Sequence, residues 1–147
     1  MKTLRNACFI PLLLLLVGLF LMGCGVEAST YHKVEPYTLV KNDSGINTVV
    51  LTESGAARIQ VASDAVTEEQ VNGADRLVVP YSALIYDTAG QTWVYTNPEA
   101  LTYIREAVTV DFIEGEKVFL STGPAAGTPV AVQAVAELYG TDTGVGK

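Results

Sequence analysis

From Asn47 to Gln133 the apolar residues come in short runs, and Gly, Pro, Asn or Asp interrupts them every ten or so positions. Such punctuation leaves little room for helices, which need three or four uninterrupted turns to form stably. Short alternating runs with turns between them are instead the signature of an antiparallel roll or barrel. The reading is therefore all-β, with roughly six to eight mostly antiparallel strands and one or two short helical turns. No internal repeat of fixed period is visible.

The runs can be placed individually. Thr52 is a plausible N-cap for a brief helix over Glu53–Gln60, which Gly55 weakens. Val61–Val66 reads as a strand, and Thr67–Asp75 as a polar connection turning at Asn72-Gly73. Leu77–Pro80 is a strand that Pro80 ends or forces to an edge. Ala83–Tyr86 resumes, Asp87–Gly90 turns, Thr92–Thr96 returns, and Asn97-Pro98-Glu99 turns again. Leu101–Phe112 is the longest strand. Val108, Val110 and Phe112 share one parity and are expected in the core, while Leu101 and Tyr103 have the other. A bulge near Arg105–Ala107 would reconcile the two sets. Glu114-Gly115-Glu116 turns into Lys117–Ser121, Val130–Gln133 is the last strand, and Ala134–Tyr139 is a possible helical turn.

The N-terminus differs in kind. Lys2 and Arg5 precede a stretch, Ala7 to Val26, without a charge. That is the pattern of a secretory signal or a membrane anchor. Its end, Leu21-Met22-Gly23-Cys24, resembles the bacterial lipobox, although Met22 is bulkier than the residue usual there. The resemblance implies cleavage before Cys24 and diacylation of that residue. The other reading is an uncleaved spanning helix in which Cys24 is an ordinary thiol. Both place the remainder on the extracytoplasmic side of a bacterial envelope. The expected organisation is a signal over residues 1–23, a tether over 24–46, a β-domain over 47–140 and a flexible tail over 141–147. Cys8 would be lost with the signal, so the mature part has neither a disulfide framework nor a cysteine nucleophile.

Without Lys2 and Arg5, seven cationic side chains face sixteen acidic ones, a net charge of −9. That balance excludes a nucleic-acid partner, which requires clustered Lys and Arg. His32, the one histidine, stands in the tether, where a solvated side chain is expected. Glu68-Glu69 would point to opposite faces of an extended chain and do not converge. Both methionines, Met1 and Met22, belong to the signal. No enzyme constellation, cofactor or metal site is expected.

Several segments then resemble one family in order and spacing. Leu77-Val78-Val79-Pro80-Tyr81-Ser82-Ala83-Leu84 is similar to the V-V-P-x-x-A-L segment of periplasmic adaptor subunits, the membrane fusion proteins of RND-type efflux pumps. Asp87–Tyr95 is similar to the family's D-x-x-G-x-x-W-V-Y hairpin, and Tyr103–Val110 to the strand that ends in V-x-V. Gly123, Gly127 and Val130, then Glu137–Asp142, follow its closing segments, and Val50–Ile59 its β-barrel entry. The likeness covers about Val49 to Gly146. Pro124 and Ala134 depart from the family, which usually has Leu and often Gly there. A full adaptor also has a lipoyl-like domain and an α-helical hairpin, for which this chain has no segment.

The resemblance implies a lipid-anchored, non-enzymatic accessory subunit that docks on an integral-membrane efflux permease. If Val94 fills the core, strand alternation leaves Trp93 and Tyr95 for the partner, with the turn carboxylates Glu114 and Glu116 as further docking residues. The alternative is a ligand-binding surface lipoprotein with an aromatic pocket of Tyr81, Tyr86, Trp93 and Tyr95. A remnant of a decayed adaptor gene fits less well with the intact signal and uninterrupted alternation. Cys24→Ala is expected to block acylation and cleavage. Mass spectrometry that found an unmodified wild-type N-terminus at Met1 would replace the lipoprotein with a spanning anchor.

Overall fold

The computed structural model describes residues 35–42 and 45–144. All of them belong to the second of two units in the chain, Val34–Lys147; the first is Met1–Lys33. The signal and Cys24 lie outside the described residues. The elements run β1 (Tyr37–Lys41), β2 (Asn47–Leu51), α1 (Glu53–Ile59), β3 (Ala62–Ala65), β4 (Thr67–Val71) and β5 (Ala74–Pro80). After a 3₁₀ turn at Tyr81–Ala83 come β6 (Ile85–Tyr86), β7 (Thr92–Glu99), β8 (Thr102–Glu114), β9 (Lys117–Thr122), β10 (Pro129–Gln133) and α2 (Val135–Thr143). The ten strands form one antiparallel sheet curled into a half-barrel, with two short helices. The strand number exceeds the six to eight expected.

The main path through the sheet is β3-β10-β7-β8-β9-β5-β4. β8 is shared. Its first half pairs with β7 along Thr102–Val108 and with β2 along Thr102–Ile104. Its second half pairs with β9. There Val110 opposes Leu120 but Phe112 opposes Phe119, so Asp111 is an extra residue and the strand bulges. The bulge turns Phe112 over. Val118 and Leu120 belong to the inner core, so Phe119 faces outward by alternation. Phe112 stacks on it with ring centroids 4.4 Å apart. Val108 is buried and Val110 packs partly against the inner core, as expected, but Phe112 does not join them.

The bulge is therefore not at Arg105–Ala107. None is needed there, because the sheet buries both faces. Inside the curl, Val66, Val79, Val94, Val108, Val118, Leu120 and Val130 form one core. On the outer face Val49, Leu51, Tyr95, Tyr103 and Ala131 pack with Val135 and Leu138 of α2, flanked by Ile59 of α1. Val94 and Tyr95 are neighbours in sequence and sit in different cores, as do Val130 and Ala131. The opposite parity of Leu101 and Tyr103 reflects the second core.

Other differences have local causes. Thr67–Val71 is a strand and not a connection, hairpinned to β5 through Asn72 (φ 52°) and Gly73 (φ 79°). Among the described residues only one of its edges is paired, so a polar sequence suffices, and the exposed Glu68 discourages further pairing. Pro80 does end β5, although that strand is interior, between β4 and β9. The tether contributes β1, antiparallel to β2. The expected tail is helical through Thr143 and contains the buried Asp142.

Thr52 caps α1 as read from the sequence, its hydroxyl accepting from the Gly55 N–H at 3.0 Å. The glycine, however, is required by space. A methyl group at 55 would collide with the Pro36 carbonyl oxygen, which accepts bonds from the Thr52 N–H and hydroxyl at 2.9 and 3.1 Å. Gly55→Ala should gain about 1 kcal/mol of helix propensity and lose about 1–3 kcal/mol to overpacking. The expected result is net destabilisation in urea unfolding, and a stabilised variant would contradict the packing described.

Candidate functional site

The polar residues of most interest lie on the outer face beside α2. The turn after β6 is built on Asp87, whose Oδ1 accepts the N–H groups of Ala89 and Gln91 at 2.9 and 2.8 Å. Its Oδ2 accepts the indole N–H of Trp93 at 3.0 Å. Burial works to raise the Asp87 pKa. The bonds from Gln91, Trp93 and Ala89, with the charge of Arg105, outweigh it and hold the carboxyl below its ordinary value. Trp93 opposes Ala107 across the ladder, and Tyr95 opposes Arg105. A methyl group opposite the indole leaves its face open, and the Arg105 guanidinium lies over it, 4.5 Å from the ring centroid. Tyr139 of α2 stands 5.9 Å away from the same group.

A buried carboxylate closes the cluster. Asp142 lies in the last turn of α2, where the helix dipole disfavours an anion. It is held by donors from the sheet. The Tyr95 hydroxyl donates to Oδ2 at 2.8 Å, and the Asn47 amide donates to Oδ1 at 3.1 Å and to the main-chain oxygen at 2.9 Å. Burial first, and then the bond to Asp142 and its charge, push the Tyr95 hydroxyl far above its ordinary pKa. Arg105 Nε is 3.4 Å from Oδ2, close enough for an ion pair. The geometry makes no hydrogen bond, and Nε is sealed from solvent without a partner. The contact is best described as charge alone.

The expected docking residues do not come together. Tyr95 has 0% exposure and is outer core, so it presents nothing to a partner. Trp93 is half-buried and spends its N–H on Asp87. Glu114 and Glu116 are exposed at the β8–β9 turn. Glu114 is seven positions along β8 from the partner of Trp93, about 20 Å at the usual strand rise. The alternative pocket of four aromatics is not assembled either. Tyr81 and Tyr86 are exposed and Tyr95 is buried, and an open cleft of about 600 Å³ beside β7 and β8 is lined by Trp93 alone of the four. Glu116 lines a smaller cleft of about 270 Å³ with Glu69, Pro80 and Lys117. Among the described residues no group of His, Cys, Asp and Glu could hold a metal, and no helix is long and apolar enough to cross a membrane. His32 lies outside the described residues.

Sequence reasoning missed Asn47, Asp87, Arg105 and Asp142 as a cluster. Arg105 shares the parity of Tyr103, a signal that it belongs to the outer face. Nothing local marks Asp142, because its donors come from 47 and 95 and its countercharge from 105.

Tyr95→Phe leaves Asp142 short of one donor in a buried place and should cost about 1–3 kcal/mol. It should also change the alkaline behaviour. The folded hydroxyl titrates above its ordinary value of 10.0, so the folded state retains a proton that the unfolded state releases. That stability is present below pH 10 and is lost as pH rises beyond it toward the folded value. Melting curves across this range should fall less steeply for Tyr95→Phe than for wild type, and equal slopes would refute the coupling.

No family model matches this chain, and no curated protein or solved structure matches it.

Proposed function

We propose that this chain is a lipid-anchored, extracytoplasmic accessory subunit that docks on an integral-membrane efflux permease of RND type. In this reading Cys24 carries the anchor. The β-domain corresponds to the membrane-proximal roll of the periplasmic adaptor subunits it resembles. The resemblance reaches the membrane-proximal roll alone, so the contact proposed is the one with the transporter.

One observation carries the docking reading. At the β8–β9 end, Ile113 and Tyr81 keep 43% and 46% of their surface exposed, high for large apolar side chains. Tyr81 is fastened there, its N–H donating to the Glu116 carbonyl oxygen at 2.8 Å. Glu114 and Glu116 flank them and make no ion pair among the described residues, whereas Lys117 is engaged by Glu69 at 2.6 Å. Exposed apolar groups rimmed by uncommitted charge suit a protein interface, where apolar groups supply affinity and rim charges orientation. The docking surface proposed is therefore this hairpin tip, and the Trp93/Tyr95 face has another use. The absence of a shared aromatic pocket gives the ligand-binding alternative no comparable support.

The test separates folding from docking. Ile113→Ser with Glu116→Lys should leave the melting temperature nearly unchanged, because both positions are exposed. The double variant should lose most co-purification with a membrane permease identified by mass spectrometry, at about 2 kcal/mol or more for an anchor residue. Efflux-dependent resistance should fall with it. Full retention of both partner and resistance would overturn the reading.

A further inference from the structure

The outer face holds a cation whose donors are unspent. A guanidinium carries its N–H groups around its edge and has two apolar faces. In Arg105 a face is covered by Trp93, at 4.5 Å, and Tyr139 stands at 5.9 Å. Trp93 is itself fixed by its bond to Asp87, and Asp87 by two main-chain N–H groups. The group is thus held in place by stacking, which leaves the edge unused. Nε has no hydrogen-bond partner, and the Nη groups make none of the hydrogen bonds among the described residues. Nε is sealed and faces Asp142, so the 16% exposure that the side chain retains leaves the Nη end of the guanidinium as the part within reach of a solute.

The neighbouring acids do not fill this edge. Asp142 approaches only Nε, at 3.4 Å, and its two carboxylate oxygens are engaged by Tyr95 and Asn47. Both oxygens of Asp87 are bound, by the indole and by the turn. Each carboxylate takes its hydrogen bonds from neutral donors and only charge from Arg105, and neither offers Arg105 the two-oxygen fork that a guanidinium fits.

We propose that Arg105, framed by Trp93 and Tyr139, is the receptor for an oxyanion, a carboxylate or phosphate group taken in the plane of the guanidinium by its two Nη groups. The net charge of the domain repels anions at long range. Binding therefore depends on short-range fork geometry, is weak for a bare ion, and favours an oxyanion carried on a larger molecule that also covers the indole. The inference is independent of the permease reading.

Trp93 is the only tryptophan in the chain, so its emission reports on this site without labelling. The full chain, purified from membranes, is titrated with sodium phosphate and separately with sodium acetate, at ionic strength held constant with sodium chloride. A saturable change in emission is expected with at least one of them. Saturation with phosphate alone identifies a phosphate group, and saturation with acetate identifies a carboxylate. Arg105→Lys keeps the charge and loses the fork, and should weaken the response about tenfold or more. In the wild type the Arg105 Nε–H resonance should shift along the same isotherm, which keeps the test decisive if the variant does not fold. No saturable change in wild type, an unchanged response in Arg105→Lys, or an Arg105 resonance that does not move would each overturn the proposal.

Discussion

A sheet with apolar residues on both faces must be covered twice, and the architecture follows from that requirement. Val94 and Tyr95, then Val130 and Ala131, place consecutive residues in opposite cores. Curling the sheet covers one face with itself. The other needs separate pieces of chain, and α1, α2 and the β1–β2 hairpin supply them. Each fully buried Val or Leu contributes about 1.5–3 kcal/mol, so a domain this small depends on both cores. Asp111 belongs to the same solution. By inserting one residue into β8 it lets a single strand serve the α2-covered part of the sheet and then the β9–β5–β4 part.

Outer coverage brings a polar obligation with it. Packing α2 down places a carboxylate where its own helix dipole repels it, and the sheet answers with Tyr95, Asn47 and the charge of Arg105. The same Arg105 is stacked on Trp93, which is bonded to the Asp87 turn. One connected set of contacts thus runs from the β6–β7 turn to the C-terminal helix. Such a network rigidifies the face on which it lies while leaving one guanidinium edge unsatisfied. The hairpin tip at the far end of β8 has the opposite character, with exposed apolar groups and uncommitted carboxylates. A rigid polar face and an open apolar tip on the same strand suit two different contacts.

The outer surface of the β4–β5–β9 region is managed with charge. Arg76 bonds Asp111 at 2.8 Å and Lys117 bonds Glu69 at 2.6 Å, beside the Phe112–Phe119 stack. These exposed pairs add little stability individually. Together with Glu68 on the edge strand β4 they keep an apolar stripe and an unpaired edge from recruiting another sheet.

Sequence alone determined what depends on neighbours in the chain. The Thr52 cap, the Asn72-Gly73 and Asp87–Gly90 turns, the stop at Pro80 and most strand positions follow from local geometry and period-two alternation. Tertiary structure decided what depends on partners far apart in sequence. Thr67–Val71 is a strand because β5 pairs with it, Gly55 is fixed by Pro36, and Phe112 is turned by a bulge whose register only β9 defines. Tyr95 had the right parity and the wrong destination, because alternation tells which residues share a face and not whether that face meets solvent or a helix. The Asp142 cluster was beyond any local reading, since its donors stand 95 and 47 residues away along the chain. A pattern of single residues cannot encode which distant segment will cover it, and in a sheet buried on both faces that decides which side chains are left for function.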